Sequence, residues 1–253
     1  MKVFIEAAGC IDIAYIIRAC IQADLTPVLT DMEPDLGGFF PDFQYLTVPP
    51  SSAESHWNQT LELISDNQID IVLPYLDENL LGWQKVQSEN PKLKIIISPR
   101  DTLETFLDKW QTYEFFKRCN IPTPETSLKD QYDLHKPRLG RGSKGIYIKS
   151  QSKQNYFDHS YLSQEFIDGQ EFSIDCLFDL SGSLVYTVAR KRLRVKDGKS
   201  TAGLVVQSEE FNKSILRMTK TLHFIGPINF QAIVDSSGKI FFIECNPRLA
   251  GGM

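Results

Sequence analysis

Cysteine is scarce and scattered in this sequence. The five residues (Cys10, Cys20, Cys119, Cys176, Cys245) form no CxxC pair and have no histidine at metal-ligand spacing. That excludes a disulfide framework and a zinc-ribbon centre, and fits free thiols in a reducing compartment. No apolar run approaches a membrane span, and the opening segment 1–6 reads as a short strand rather than a signal peptide. Positive charge is not in excess: 27 Lys and Arg against 32 Asp and Glu leave a net charge of −5, so nothing global attracts nucleic acid or anionic membrane. Internal repeats and low-complexity segments are missing. What remains is the composition of a globular protein, 42% hydrophobic and 23% charged over 253 residues. That is enough for one large domain or two to three small ones, expected in the cytoplasm.

Residues 1–98 alternate in a βα pattern. Short strands are expected at 2–7, 26–30, 69–74 and 93–98, the last two apolar enough to be buried on both faces of a parallel sheet. Asp12 is a candidate N-cap for a helix whose apolar stripe is Ile13, Ile16, Ile17, Cys20 and Ile21. A second helix is expected over 52–66 through Trp57, Leu61 and Ile64. After Pro99 the pattern changes. One continuous helix is expected over 101–119, ended by the Ile121-Pro122-Thr123-Pro124 segment because proline lacks a donor and restricts its predecessor. Strands dominate from there. Glu171, Ser173 and Asp175 share one face, and Phe172, Ile174, Cys176 and Phe178 share the other. A further amphipathic helix is expected over 208–222.

Three segments carry chemistry. The first is a hairpin of strands 228–234 and 239–245 joined by Asp235-Ser236-Ser237-Gly238. A regular ladder sets Asn229 opposite Glu244 and Gln231 opposite Phe242, with Gln231, Glu244 and Asn246 projecting from one face. One carboxylate and two amides are oxygen donors suited to Mg²⁺ completed by phosphate, and Arg248 just beyond suits a phosphoryl oxygen. A solvated polar face on an exposed hairpin would show the same pattern. The second segment runs from His135 through Lys136, Gly140, Gly142, Ser143 and Gly145 to Ile146. Its three glycines let backbone amides approach a polyphosphate, yet it is neither a Walker A nor a dinucleotide loop, and a flexible basic turn reads equally well. The third runs from Ser163 to Ser173. A strand–turn–strand there brings Glu165 near Glu171, one to receive an adenine amino group and the other ribose hydroxyls, or else forms an ordinary hairpin with carboxylates in water.

The order and spacing of these segments resemble the ATP-grasp superfamily, and within it the carbamoyl-phosphate synthase large-subunit-like, carboxylate–amine ligase group. The resemblance rests on Asn229-Phe230-Gln231 followed by Glu244-Cys245-Asn246-Pro247-Arg248, on Asp108-Lys109 ahead of Ile121-Pro122-Thr123-Pro124, and on Ile71-Val72-Leu73-Pro74 with Asp77. It implies an α/β and α+β fold: a Rossmann-like pre-ATP-grasp domain at 1–98, a small ATP-grasp lobe at 99–167, and a large lobe at 168–253 with a short C-terminus. It implies that Lys109 and Lys136 contact ATP phosphates under a 140–145 lid, with Gly140, Gly142, Ser143 and Gly145 lining the nucleotide. Glu165 and the Ile167 backbone are then expected to hold adenine, and Glu171 ribose. Gln231, Glu244 and Asn246 are expected to take Mg²⁺ (or Mn²⁺), while Arg248 and Lys136 serve the transferring phosphoryl group. The lone Gly9 in place of a richer glycine turn argues against a dinucleotide in the first domain.

The implied activity is ATP-dependent ligation through an acyl phosphate on a small carboxylate, attacked by an amine. The expected partners are small molecules and, at most, a second copy of the chain. Bicarbonate or carbamate phosphorylation within a larger assembly, and a non-catalytic ATP-binding module, are the competing readings. For the acceptor, Arg192 and Arg194 share parity in the basic run 190–199 and are placed to fork a carboxylate, unless the run is a solvated edge strand.

Overall fold

The computed structural model describes residues 1–250 apart from 141, 143, 153–156 and 197. The chain divides into two compact units, Met1–Ile97 and Ser98–Ala250. In the first, β1 (Lys2–Ile5), β2 (Thr26–Asp31), β3 (Gln44–Thr47), β4 (Ile71–Leu73) and β5 (Lys94–Ile95) form a parallel sheet in the order β3-β2-β1-β4-β5. The connections carry α1 (Ile13–Gln22), α2 (His56–Asp66) and α3 (Asp77–Glu89). Strand order reverses at β1 and β4, as in doubly wound sheets. Ile13, Ile16, Ile17 and Cys20 are buried on α1 as their spacing predicts, but Ile21 is exposed. The α2 helix turns His56, Thr60 and Ile64 inward, and it begins four residues later than expected. Asp12 precedes α1 without capping it through its side chain, accepting a hydrogen bond from the Tyr75 hydroxyl instead (2.8 Å). At the end of β1 the buried Glu6 carboxylate accepts from Tyr75 N–H, Leu76 N–H, Asn79 Nδ2 and Trp83 Nε1 at 2.6–3.1 Å. Glu6 thereby takes the backbone donors that lead into α3.

The second unit opens with two helices, α4 (Arg100–Leu107) and α5 (Lys109–Arg118), where one was expected. The break is Asp108, extended at φ −114° and ψ 116°, whose carboxylate accepts from Trp110 N–H and so caps α5 (2.9 Å). A small sheet follows in the order β6 (Thr126–Ser127), β9 (Tyr161–Gln164), β7 (Leu134–Pro137), β8 (Tyr147–Ile148). The larger antiparallel sheet runs β12 (Lys199–Val206), β11 (Leu184–Lys196), β10 (Gly169–Phe178), β13 (Gly226–Asp235), β14 (Ile240–Asn246). Helix α6 (Glu209–Met218), N-capped by Ser208, packs Phe211, Ile215 and Met218 inward.

The core of this unit lies on one face of the large sheet. Ile174, Cys176 and Phe178 of β10, Ile228, Phe230 and Ala232 of β13, and Phe242 and Cys245 of β14 join Phe106, Phe115, Phe116, Phe211 and Phe224 there. Phe106 stacks on Phe224 at 5.7 Å, and Phe230 meets Phe242 edge-on at 6.1 Å. Each fully buried ring contributes roughly 1.5–3 kcal/mol. With one face of the sheet committed to this cluster, strand periodicity sends the alternate residues to the other face.

Candidate active site

The opposite face of the large sheet is polar. Two rows of directly opposed residues cross β10, β13 and β14: Ser173, Gln231, Glu244, and beside it Asp175, Asn229, Asn246. This differs from the regular ladder read from the sequence. Gln231 lies opposite Glu244 rather than Phe242, and Asn229 lies opposite Asn246, because the register shifts between Gln231 and Ala232. Ile243 is the extra residue of a β-bulge. Without the bulge, Phe242 and Glu244 would share a face. With it, Phe242 is fully buried in the core while Glu244 stays half-buried on the polar side. Gln231, Glu244 and Asn246 do share that side, as predicted. The turn holding the hairpin is Asp235–Gly238, where Asp235 Oδ1 accepts from Ser237 N–H and Lys239 N–H (both 2.9 Å) and Gly238 sits at φ +85°.

Lys136, on β7 of the small sheet, is buried and donates to Gln164 Oε1 at 2.9 Å. Burial pushes its ammonium pKa down to about 8, with Glu244 opposing the depression and Lys109 adding to it. That mutual influence brings Lys109, Lys136 and Glu244, from three separate elements, into one electrostatic neighbourhood. Gln164 is fixed in turn, its Nε2 donating to Thr126 Oγ1 at 2.8 Å. Lys109 begins α5 and donates through Nζ to the Gly140 carbonyl at 2.6 Å. Beside it Arg138 forks the Asp108 carboxylate with contacts of 2.6–2.8 Å. The loop between β7 and β8 is therefore tethered at its base to the α4–α5 junction. Gly140, Gly142 and Gly145 take φ of +100°, +72° and +74°. At Gly140 and Gly142 a Cβ would meet nothing within 4 Å, so backbone conformation rather than crowding calls for glycine there. Ser143 lies outside the described residues. Arg248 is buried after β14, its Nη1 donating to the Leu249 carbonyl at 2.8 Å.

Two expectations are corrected here. Glu165 and Glu171 are not partners in a hairpin: β9 and β10 belong to different sheets, and residues 165–168 cross between them. Glu165 accepts from Glu125 N–H at 3.3 Å, while Ile167 is half-buried in the crossing. Glu171 is ion-paired to Arg192 at 2.6 Å, so these two residues hold each other. Finally, Arg192 and Arg194 do not share a face. Arg192 opposes Gly203 and Arg194 opposes Ala202, because Leu193 is a bulge residue between them. Arg192 lies buried on the polar side, also donating to the Gly198 carbonyl (2.6 Å), and Arg194 is exposed. Parity read along one strand fails wherever a residue is inserted.

Sequence reading passed over Gln164, Arg138 and Arg190. Arg190 grips Asp175 Oδ2 through Nε (2.8 Å) and Nη2 (2.6 Å). The signal for it was available, since residue 190 has the parity of 192 and faces the Asp175 side of β10.

The donor set fits a hard divalent cation shared with phosphate. Among the described residues no group of three His, Cys, Asp or Glu could enclose a metal alone. Glu244 and Gln231 side chains make no hydrogen bond to any described residue, so their oxygens are free to ligate. One carboxylate with two amide oxygens and outside oxygens to complete the shell is a Mg²⁺ pattern.

Comparison with known proteins agrees with this architecture. Residues 106–252, more than half of the chain, match the ATP-grasp domain family, and the chain belongs to that family. Its relatives include two proteins named tyramine–L-glutamate ligase. The one from Methanocaldococcus jannaschii is 23% identical over 235 residues, covering 89% of this chain and 71% of that protein. The one from Methanocaldococcus fervens is 26% identical over 196 residues, covering 74% and 62%. Among solved structures, the biotin carboxylase domain of Hydrogenobacter thermophilus 2-oxoglutarate carboxylase, in complex with MgADP, ADP and bicarbonate, superimposes with a TM-score of 0.78 at 19% identity. That match covers 98% of this chain and 64% of that one. N5-carboxyaminoimidazole ribonucleotide synthetase from Thermotoga maritima gives 0.70 at 17% identity, covering 98% and 68%. The chain thus spans about two thirds of the length of such proteins. No described helix is long and apolar enough to cross a membrane.

Proposed function

We propose that the chain carries the ATP- and Mg²⁺-binding centre of a ligase that activates a small carboxylate as an acyl phosphate for attack by an amine. The observation that carries this reading is the convergence of buried Lys136 with Glu244, flanked on the polar face by Gln231 and Asn246. Family membership and two relatives named as ligases joining an amine to an amino acid support it. Lys136 and Lys109 would bind the β- and γ-phosphate oxygens, which keeps Lys136 protonated, and the 140–145 loop would cover them. Gln231, Glu244 and Asn246 would hold Mg²⁺, which when bound would supply neutralisation of phosphate charge. An acceptor carboxylate oxygen attacks the γ-phosphorus as the bond to ADP breaks, with Arg248 and Lys136 meeting the charge on the equatorial oxygens. The amine then attacks the acyl carbon, inorganic phosphate leaves, and the nitrogen loses its proton. Positioning and electrostatics carry the transfer, so no side-chain nucleophile is needed. Glu165 and the Ile167 backbone are the proposed adenine contacts. Glu171 is the proposed ribose contact, reached by loosening its pair with Arg192.

The test is ADP release from ATP and Mg²⁺ against amino acids (L-glutamate included), small carboxylates and bicarbonate, each with and without tyramine and other amines. Stimulation by a carboxylate with an amine is expected, and Glu244→Ala should abolish it. Unchanged turnover in that variant refutes the site. Stimulation by bicarbonate alone replaces the ligase reading with carboxyphosphate chemistry, and ADP binding with no stimulation by any acceptor favours a binding module.

A further inference from the structure

An amide side chain offers a metal its oxygen only if something decides which end points outward. Asn246 and Asn229 are directly opposed across β13 and β14, and Asn229 and Asp175 across β10 and β13. Asn246 Nδ2 donates to Asn229 Oδ1 at 3.3 Å, and Asn229 Nδ2 donates to Asp175 Oδ1 at 2.8 Å. Asp175 is forked in turn by Arg190 through Oδ2. Asn229 is buried and the Arg190–Asp175 pair largely so, with side-chain exposures of 14% and 19%.

We propose that Asp175 and Arg190 are positioning residues that set the polarity of this row, turning Asn246 Oδ1 toward the metal. The inference rests on the reading that Asn246 faces Mg²⁺. A carboxylate only accepts, so Asn229 must give Asp175 its NH₂ end. That leaves Asn229 Oδ1 facing Asn246, which must answer with its own NH₂ and turn its oxygen the other way. Each link dictates the next because Asn229 is buried and Asn246 half-buried, so their polar ends seek partners along the row. Arg190, a donor without an acceptor atom, anchors the far end. The row therefore orients a ligand from two residues away, as outer partners of metal sites do.

Removing the carboxylate should invert the row. In Asp175→Asn, Arg190 still requires an oxygen, so the new NH₂ points at Asn229. Asn229 then turns its oxygen toward position 175 and its NH₂ toward Asn246. Asn246 accepts that bond and presents NH₂ to the cation. The exchange Asp175→Asn/Asn229→Asp restores the original sense, since the carboxylate moved to the middle of the row accepts from both neighbours and total charge is unchanged.

The experiment is calorimetric titration of ADP into the full chain in MgCl₂ and in EDTA. In the wild type, Mg²⁺ should strengthen ADP binding; if it does not, the metal reading under Proposed function fails and this inference falls with it. Given that Mg²⁺ dependence, Asp175→Asn should weaken binding about 10–100-fold in MgCl₂ and leave it unchanged in EDTA. The double exchange should recover most of the loss. Should Asp175→Asn fail to fold, Asn229→Ala cuts the row without adding charge and should show the same Mg²⁺-confined loss. The proposal is overturned by a variant that binds as wild type does in MgCl₂, by a loss equal in EDTA, or by a folded double exchange as weak as the single variant.

Discussion

Lys136 is a buried cation, and replacing it by methionine should expose what that burial costs the fold. Burial, partly countered by Glu244 and reinforced by Lys109, lowers its pKa from 10.5 to about 8. At neutral pH the ammonium is still protonated, and a displacement of that size corresponds to about 3 kcal/mol of lost stability. The sign follows from the proton balance. Between about pH 8 and 10.5 the unfolded chain holds a proton that the folded chain has released, so folding becomes more favourable as pH rises through that window. The penalty is fully present below about pH 8. Methionine keeps the apolar stem and cannot titrate. It also leaves Gln164 Oε1 without its donor, a loss of about 1–3 kcal/mol that does not vary with pH. The stability of Lys136→Met relative to wild type should therefore fall by about 3 kcal/mol between pH 7 and pH 10.5. Urea unfolding of both proteins at pH 7, 8.5 and 10.5 measures this directly, and a difference that stays flat to within about 0.5 kcal/mol would refute the reasoning. If Lys136 binds phosphate as proposed, the variant should also lose ADP affinity, a readout separate from its effect on folding.

Other outcomes follow from particular contacts. A Cβ on Gly169 would stand 2.4 Å from the Val234 carbonyl oxygen, so Gly169→Ala must move backbone. About 1–3 kcal/mol should be lost on chemical denaturation, and an unchanged midpoint would contradict the β10–β13 packing. Burial works against the Asp108 carboxylate, but hydrogen bonds from Arg138 and Trp110 N–H outweigh it and hold its pKa below the usual range. Asp108→Ala should cost about 1 kcal/mol from the cap alone. Because the folded pKa is the depressed one, the wild-type advantage should persist above the usual carboxylate range and disappear as pH falls through the folded value, as measured by unfolding at pH 6 and pH 3. Burial raises the thiol pKa of Cys176 and of Cys245, and both are nearly inaccessible. Iodoacetamide on the native protein should therefore modify the half-buried Cys10 and spare them, whereas all five cysteines should react in urea. Peptide mass mapping reads the difference, and rapid native labelling of Cys245 would place β14 outside the core.

Periodicity, turn chemistry and local motifs determined much of this protein. Alternation along β10 assigns Ile174, Cys176 and Phe178 to the core and Ser173 and Asp175 to the polar face because a pleat has only two sides. Asp235-Ser236-Ser237-Gly238 specifies its turn because an aspartate that accepts nearby N–H groups and a glycine at positive φ are local requirements. Glu244-Cys245-Asn246-Pro247-Arg248 with Asn229-Phe230-Gln231 marks the family and the proposed donor set. Tertiary structure decided what depends on insertion, pairing and burial. The Ile243 bulge sets Gln231 opposite Glu244, and the Leu193 bulge separates Arg192 from Arg194. An extra residue in a strand is selected by what the paired strands together must bury, which no single strand states. The break at Asp108 is invisible in a helical pattern because the capping aspartate is stabilised by Arg138, thirty positions away. Partner choice also lies beyond periodicity: Glu171 meets Arg192 instead of Glu165 because β9 and β10 enter different sheets. The lowered pKa of Lys136 belongs to the same class, since the desolvation that produces it exists only once the small sheet has closed around the ammonium.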